Sequence, residues 1–197
     1  MSELVVGSLA GLSDNGFVID VASGSSLDLS NGATLPAGSI INVQSVLKTD
    51  TFSASVTAGG NVAVTDLSIT HEVSNASNKL IITAFLGAAA TSGTDITRVG
   101  IAVHDGTSLI AVGDSAGSRV SVTSGGSTHR NTSDFVVTMP SVTFVHTPGA
   151  GSKTYTLRAV NINTATRTVF VNRSNSDLDR GDFSRAVSAM TIQEVAG

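Results

Sequence analysis

The sequence predicts an all-β fold, a jelly-roll-like β-sandwich of about ten strands behind a short β shaft or docking segment. Three observations predict it. Ser, Thr, Gly, Ala, Val and Asn dominate the 197 residues, and only 13% are charged, so the Glu and Lys that favour helices are scarce. Short segments alternate apolar and polar residues with the period of two that half-buried strands require. Between them stand clusters of Gly, Ser, Asn, Asp and Pro with the chemistry of turns. A single domain of this length buries roughly 70% of its unfolded surface, enough for a real core.

Taken in order, residues 4 to 35 offer runs too short to hold a private core: Leu-Val-Val, Phe-Val-Ile-Asp-Val and Leu-Asp-Leu, separated by Gly and Ser turns. Phe17, Ile19 and Val21 share one face, and Leu27 with Leu29 repeats the pattern, as in β shafts where several chains share a thin core. Residues 1–38 are therefore expected to be a docking or shaft segment, ending at the turn Leu-Pro-Ala-Gly-Ser, 35 to 39. Residues 39–197 are expected to form the sandwich. Ile41, Val43 and Leu47 alternate with Asn42, Gln44 and Lys48; Val62 and Val64 are followed, after Asp66, by Leu67 and Ile69. Residues 79 to 90 are apolar on both faces, which suits a central strand buried on both sides or, on periodicity alone, a short helix. Val99, Ile101 and Val103 lead through Asp-Gly-Thr into Leu-Ile-Ala-Val, a hairpin whose Gly tolerates the tight turn. Val120 with Val122, Val136 with Thr138, Val142 with Phe144, Tyr155 with Leu157 and Val169 with Val171 supply further strands. The last strand, 189 to 196, sets Met190 and Ile192 on one face and Thr191 and Gln193 on the other. Polar loops are expected at 124–134, 147–152 and 174–182, the kind of segment on which binding surfaces are built.

Composition also excludes. There is no Cys, so neither disulfides nor thiolate metal sites contribute. The start lacks the basic and apolar regions of a signal peptide, and no apolar run approaches the ~18 residues of a bilayer span, so no membrane insertion is expected. A formal net charge of −4, with eleven basic residues dispersed along the chain, gives no electrostatic footprint for nucleic acid.

Several motifs invite chemistry. Gly-Asp-Ser-Ala-Gly, 113 to 117, resembles the nucleophile segment of trypsin-like proteases, but His71 and His104 precede Ser115 too closely to build the barrels that bring a base and its orienting Asp together. Arg180-Gly181-Asp182 matches an adhesion tripeptide, and exposed ion pairs among Asp179, Arg180 and Asp182 are the simpler expectation. Asn175, Asp177 and Asp179 have the alternate spacing of a calcium loop, yet the Gly falls at 181 and the twelfth position is Ala186, which rules out an EF-hand. His71, His104, His129 and His146 show no metal-site spacing. His146 reads as an edge histidine beyond Val142 and Phe144; His129 with Arg130 reads as a solvated loop tip, with contact to an anionic glycan as the alternative. A glycan-degrading spike would want paired carboxylates and aromatic platforms, and the chain has no Trp and a single Tyr. No catalytic residue, metal site or cofactor is expected, and the residues do not single out a ligand site.

Ser39 to Thr51, the segment Val-Gly-Asp-Ser-Ala-Gly-Ser-Arg at 112–119, and Tyr155 to Val160 with the ending from Phe170 to Gly197 are similar to the short tail-fibre and fibre-like virion proteins of tailed bacteriophages, of the marine and cyanobacterial type. The resemblance covers roughly residues 39 to 197. It implies a virion protein exposed on the particle: a homotrimeric fibre or spike, docked to other virion proteins through its N-terminal segment, with an outward sandwich that attaches to a host surface glycan or protein. The chain departs from long fibres in having only about 38 residues before the sandwich, so a capsid or tail decoration protein that binds and stabilises neighbouring virion subunits is the alternative expectation.

Overall fold

The computed structural model describes residues 35–93, 96–129 and 136–197. The expected docking or shaft segment, 1–38, lies outside them except for its last four residues. Those residues form the expected turn: Ser39 N donates to Pro36 O, and Gly38 N to Ala196 O.

Twelve strands and no helix form among the described residues: β1 Ile40–Lys48, β2 Phe52–Val56, β3 Asn61–Val73, β4 Lys79–Phe85, β5 Ala89–Thr91, β6 Ile96–His104, β7 Leu109–Ile110, β8 Ser124–His129, β9 Ser141–His146, β10 Gly151–Asn161, β11 Arg167–Val171 and β12 Ser188–Val195. One sheet runs β1-β12-β4-β9 and another β3-β10-β6, with β7 and β8 sharing the far edge of β6; β2-β11-β5 make a small third sheet. All pairings are antiparallel. If β7 and β8 count as one strand and the third sheet is set aside, eight principal strands remain, ordered 1-8-3-6 in one sheet and 2-7-4-5 in the other. That order is two interlocked Greek keys. The fold is a jelly roll.

Its core lies between the two larger sheets. Leu80, Ile82, Ala84, Met190 and Ile192 from one sheet are buried in the same cluster as Leu67, Ile69, Val99, Ile101, Val103, Tyr155 and Leu157 from the other. Each large aliphatic side chain so placed contributes roughly 1.5–3 kcal/mol. As expected, the last strand sends Met190 and Ile192 inward, and it pairs with both β1 and β4. The Asp-Gly-Thr hairpin also forms: Asp105 Oδ1 accepts from the Thr107 and Ser108 amides, and Gly106 takes φ 93°. In β3, Asp66 adopts φ 66°, and the register against β10 shifts between Thr156 and Arg158; this lets Val64 and Leu67 both turn inward although three positions apart.

Five expectations are corrected. In β1 the alternation is real, but its apolar set faces out: Val43 and Leu47 are 55% and 60% exposed, while Gln44, Val46 and Lys48 turn in. Cross-strand partners share a face, and Gln44 and Val46 sit opposite the buried Ile192 and Met190. The apolar run 79–90 is two strands, β4 and β5, parted at 86–88. Residues 120–122 are not a strand, whereas 124–129, expected to be loop, are β8. The reason is packing on the outside of β6, where Gly100 faces Gly125: a Cβ on either glycine would strike Val122 and Ile162, whose side chains fill that space. Thr138 forms only an isolated bridge to Ala89, and β2 has no counterpart among the expected strands.

Candidate functional site

Two features stand apart from ordinary sandwich packing: a polar cluster inside one end of the jelly roll, and an uncharged face outside it. The cluster is built by β12. Its inward set, Ser188, Met190, Ile192 and Glu194, continues the period of two, so a carboxylate enters the core where an aliphatic residue would be expected. Glu194 Oε1 accepts from the Ser74 amide and hydroxyl at 2.9 Å each and from Asn78 Nδ2 at 2.6 Å. His71 Nε2 donates to Glu194 Oε2 at 2.9 Å, and its Nδ1 lies 3.2 Å from the Gln44 side-chain oxygen. Burial pushes the Glu194 carboxyl up, but the bonds from Asn78, Ser74 and His71 outweigh it and leave the carboxyl below its ordinary range. This Ser, His and Glu set is not a nucleophilic triad. The Ser74 hydroxyl donates to the carboxylate itself, and the His ring is held between Glu194 and Gln44. Four donors engage the carboxylate, so its chemistry is that of a clamp between the last strand and the β3–β4 turn.

A second buried charge stands at the other end of β1. The Lys48 side chain is fully buried, with Nζ 2.8 Å from Asp50 and 3.4 Å from Asp66. Burial lowers its pKa, and the two carboxylates more than offset this, leaving it raised.

The uncharged surface is the middle of the outer face of the β1-β12-β4-β9 sheet. Three rows cross all four strands in register: Val43–Gln193–Ile81–Val145, Ser45–Thr191–Thr83–Thr143 and Leu47–Ala189–Phe85–Ser141. In the hydroxyl row, Ser45 and Thr191 bond at 2.9 Å and Thr83 and Thr143 at 3.0 Å. No Asp, Glu, Lys or Arg stands in these rows; Lys79 lies at one end, opposite Val195. Val145 is 61% exposed, comparable to Val43 and Leu47.

The sequence-derived candidates fall elsewhere and do not converge. Ser115 is exposed in the segment after β7, whereas His71 is in the core, and His104 Nδ1 accepts from the Gly106 amide. Arg180 Nη2 donates to Asp182 at 2.6 Å, so the adhesion tripeptide closes on itself, and the Arg180 guanidinium also covers the Phe183 ring. Asp177 is held by Arg185 at 2.5 Å and Arg173 at 3.4 Å, which commits the central acid of the calcium-like spacing to two guanidinium groups. Among the described residues no three His, Asp or Glu gather as a metal site would require. His129 ends β8 opposite Ile96 rather than tipping a loop, and Arg130 lies outside the described residues. His146 stands edge-on to Tyr155, ring centroids 5.9 Å apart. A shallow trough of about 380 Å³ over β6 and β8 has an apolar floor of Val120, Val122 and Ile162, with Arg98 at its side. It offers a ligand no aromatic platform.

No protein-family model matches the chain, and no curated protein matches it. Among solved structures, the chain is similar to "Structure of infectious bursal disease virus Gx strain", at 15% identity and a TM-score of 0.39, over 89% of this chain and 43% of that one. It is also similar to "Structure of infectious bursal disease virus Gt strain", at 13% identity and a TM-score of 0.37, again over 89% and 43%. The chain thus spans less than half the length of either. Likeness at this level carries no argument about what the chain does, and the assignment of the jelly roll rests on its own strand order.

Proposed function

We propose that the chain is a non-catalytic structural subunit of a virus particle, of the tailed-bacteriophage kind. In this reading it is a homotrimeric fibre or spike, docked through its N-terminal segment, whose jelly roll presents loops to a host surface glycan or protein. The observation that carries the structural role is the uncharged middle of the outer face of the β1-β12-β4-β9 sheet. A monomer in water gains nothing from leaving Val43, Leu47 and Val145 more than half exposed on one face, and contiguous surfaces of this composition mark sites that another protein covers. The jelly roll supports the setting by analogy alone, since capsid and lectin domains use it. The dispersal of Ser115, the histidines and the loop carboxylates supports the non-catalytic reading. A second placement, a capsid or tail decoration protein, is favoured by the same face, because a surface suited to neighbouring subunits serves a cementing role directly.

The test is antibody labelling of washed particles. Regular labelling at one position supports the proposal, and absence of the chain from purified particles overturns it. Adsorption blocked by the antibody selects the attachment role; particles that lose stability on removal of the protein while adsorbing normally select decoration.

A further inference from the structure

We infer that the outer face of the β1-β12-β4-β9 sheet pairs with the same face of a second copy of this chain, about a two-fold axis. The inference rests on reading this face as an assembly surface and does not depend on where the protein sits in a particle. A row of Val43, Gln193, Ile81 and Val145 and another of Leu47, Ala189, Phe85 and Ser141, each apolar at three of its four positions, flank a central row made only of hydroxyls, Ser45, Thr191, Thr83 and Thr143. The pattern is therefore nearly symmetric about its own middle. A two-fold axis lying in the face, along the hydroxyl row or along the strands, brings hydroxyls onto hydroxyls and the mainly apolar rows onto one another, with Gln193 and Ser141 the polar members that meet apolar residues of the copy. This is the self-complementarity an isologous contact needs.

Charge points the same way. The chain has 15 acidic and 11 basic residues, yet none falls in the twelve positions of these rows, so a charged partner surface would be desolvated here without a counter-charge. An identical copy brings an equally uncharged face. Strands about 4.8 Å apart and a rise of about 3.3 Å per residue give a flat footprint of roughly 400 Å² per copy, before the relief of the side chains is counted. Standard interfaces bury about 800 Å² per partner, so the pair belongs to the weaker, concentration-dependent end of specific contacts. Both edges of the sheet, β1 and β9, hold outward apolar residues, Val43, Leu47 and Val145, so the contact can extend across the full width.

The experiment is the mass of the full-length protein by sedimentation over the widest accessible concentration range, for the wild type, Thr83→Arg and Thr143→Lys. The last is a second variant, on an edge strand and exposed, for use if Thr83→Arg folds poorly; an unchanged thermal midpoint and circular dichroism spectrum certify either. The wild type is expected to reach an even number of chains, two, or six if residues 1–38 also join three. The folded variants are expected to halve that number. A wild type that stays at one or three chains at the highest concentration overturns the inference, as does an even assembly that both charged variants leave intact. A variant with unchanged mass but reduced incorporation into particles likewise overturns it and assigns the face to a different virion protein. The separate antibody test distinguishes these failures from failure of the virion reading.

Discussion

Replacing Glu194 with Ala tests whether the buried polar cluster holds the last strand in place. In the folded chain four donors converge on this carboxylate: the Ser74 amide and hydroxyl, Asn78 Nδ2 and His71 Nε2. Truncation strands them in a site where His71 is fully buried and Asn78 nearly so. Removing one partner of a buried, hydrogen-bonded ionic group costs about 3–5 kcal/mol, and in a domain of this size each kcal/mol moves the midpoint by roughly 2–4 °C. Thermal unfolding at neutral pH should therefore shift down by about 6–20 °C. Acid adds a second signature. The Glu194 carboxyl is held below its ordinary range when folded, so as pH falls the unfolded chain takes up this proton first. Its contribution is fully present above the ordinary carboxylate value and is lost as pH drops through the lower folded value. The wild type should lose stability over that interval, and Glu194→Ala should lose less. Pairing with His71→Ala should be non-additive by about 0.5–3 kcal/mol. A shift below about 2 °C, or identical acid slopes for the two proteins, would refute the clamp.

The remaining predictions follow from the same geometry. Lys48→Met should be close to neutral in denaturant unfolding, because Asp50 and Asp66 are exposed and regain water; the double change Asp50→Asn with Asp66→Asn should cost more, because it leaves a buried ammonium unpaired. Gly87→Ala should destabilise by about 1–3 kcal/mol or more, since its Cβ would fall on the Val187 backbone carbonyl, whereas Gly125→Ala should cost less, as its tight contacts are with side-chain atoms of Ile162 and Val122 and the Gly100 backbone lies at ordinary contact distance. Calcium or a chelator should leave the thermal midpoint unchanged, because Arg185 and Arg173 already occupy Asp177; a calcium-dependent rise would reopen the loop as a metal site.

What the sequence makes legible depends on whether a segment's own pattern or its partner sets its face. Met190 and Ile192 are readable as core because β12 lies between β1 and β4 and one side of it must be apolar. The same period extended by two positions reaches Glu194, so the entry of a carboxylate into the core could have been read there; its partners Ser74, Asn78 and His71, some 120 residues earlier, could not. β1 misleads because it alternates cleanly, and only its register against Met190 and Ile192 reveals that Val46 and Gln44 face in. β8 is hidden for the opposite reason. Ser-Gly-Gly-Ser-Thr-His has poor strand propensity, and it is a strand because Gly125 lets Val122 and Ile162 pack over β6. The uncharged face is invisible in any one segment, since each of its rows draws a single residue from four strands.

β1 then poses the sharper question of why a strand would turn Gln44 and Lys48 inward and Val43 and Leu47 outward. Reversing its phase by one residue would bury two aliphatic side chains, Val43 and Leu47, and expose one, Val46, a net gain of roughly 1.5–3 kcal/mol, and would return the ammonium to water. The chain instead supplies Glu194 and His71 near Gln44, and Asp50 and Asp66 for Lys48, which are needed only if the polar set faces in. Two separate polar arrangements on one strand make this phase a specified feature of the fold. They fix the register of β1 against β12, and with it the alignment of Val43, Ser45 and Leu47 with the rows of β12, β4 and β9. The cost inside the sandwich is thus tied to the face outside it, whose mainly apolar and hydroxyl rows stay in line across four strands, the alignment on which the proposed pairing of two copies depends.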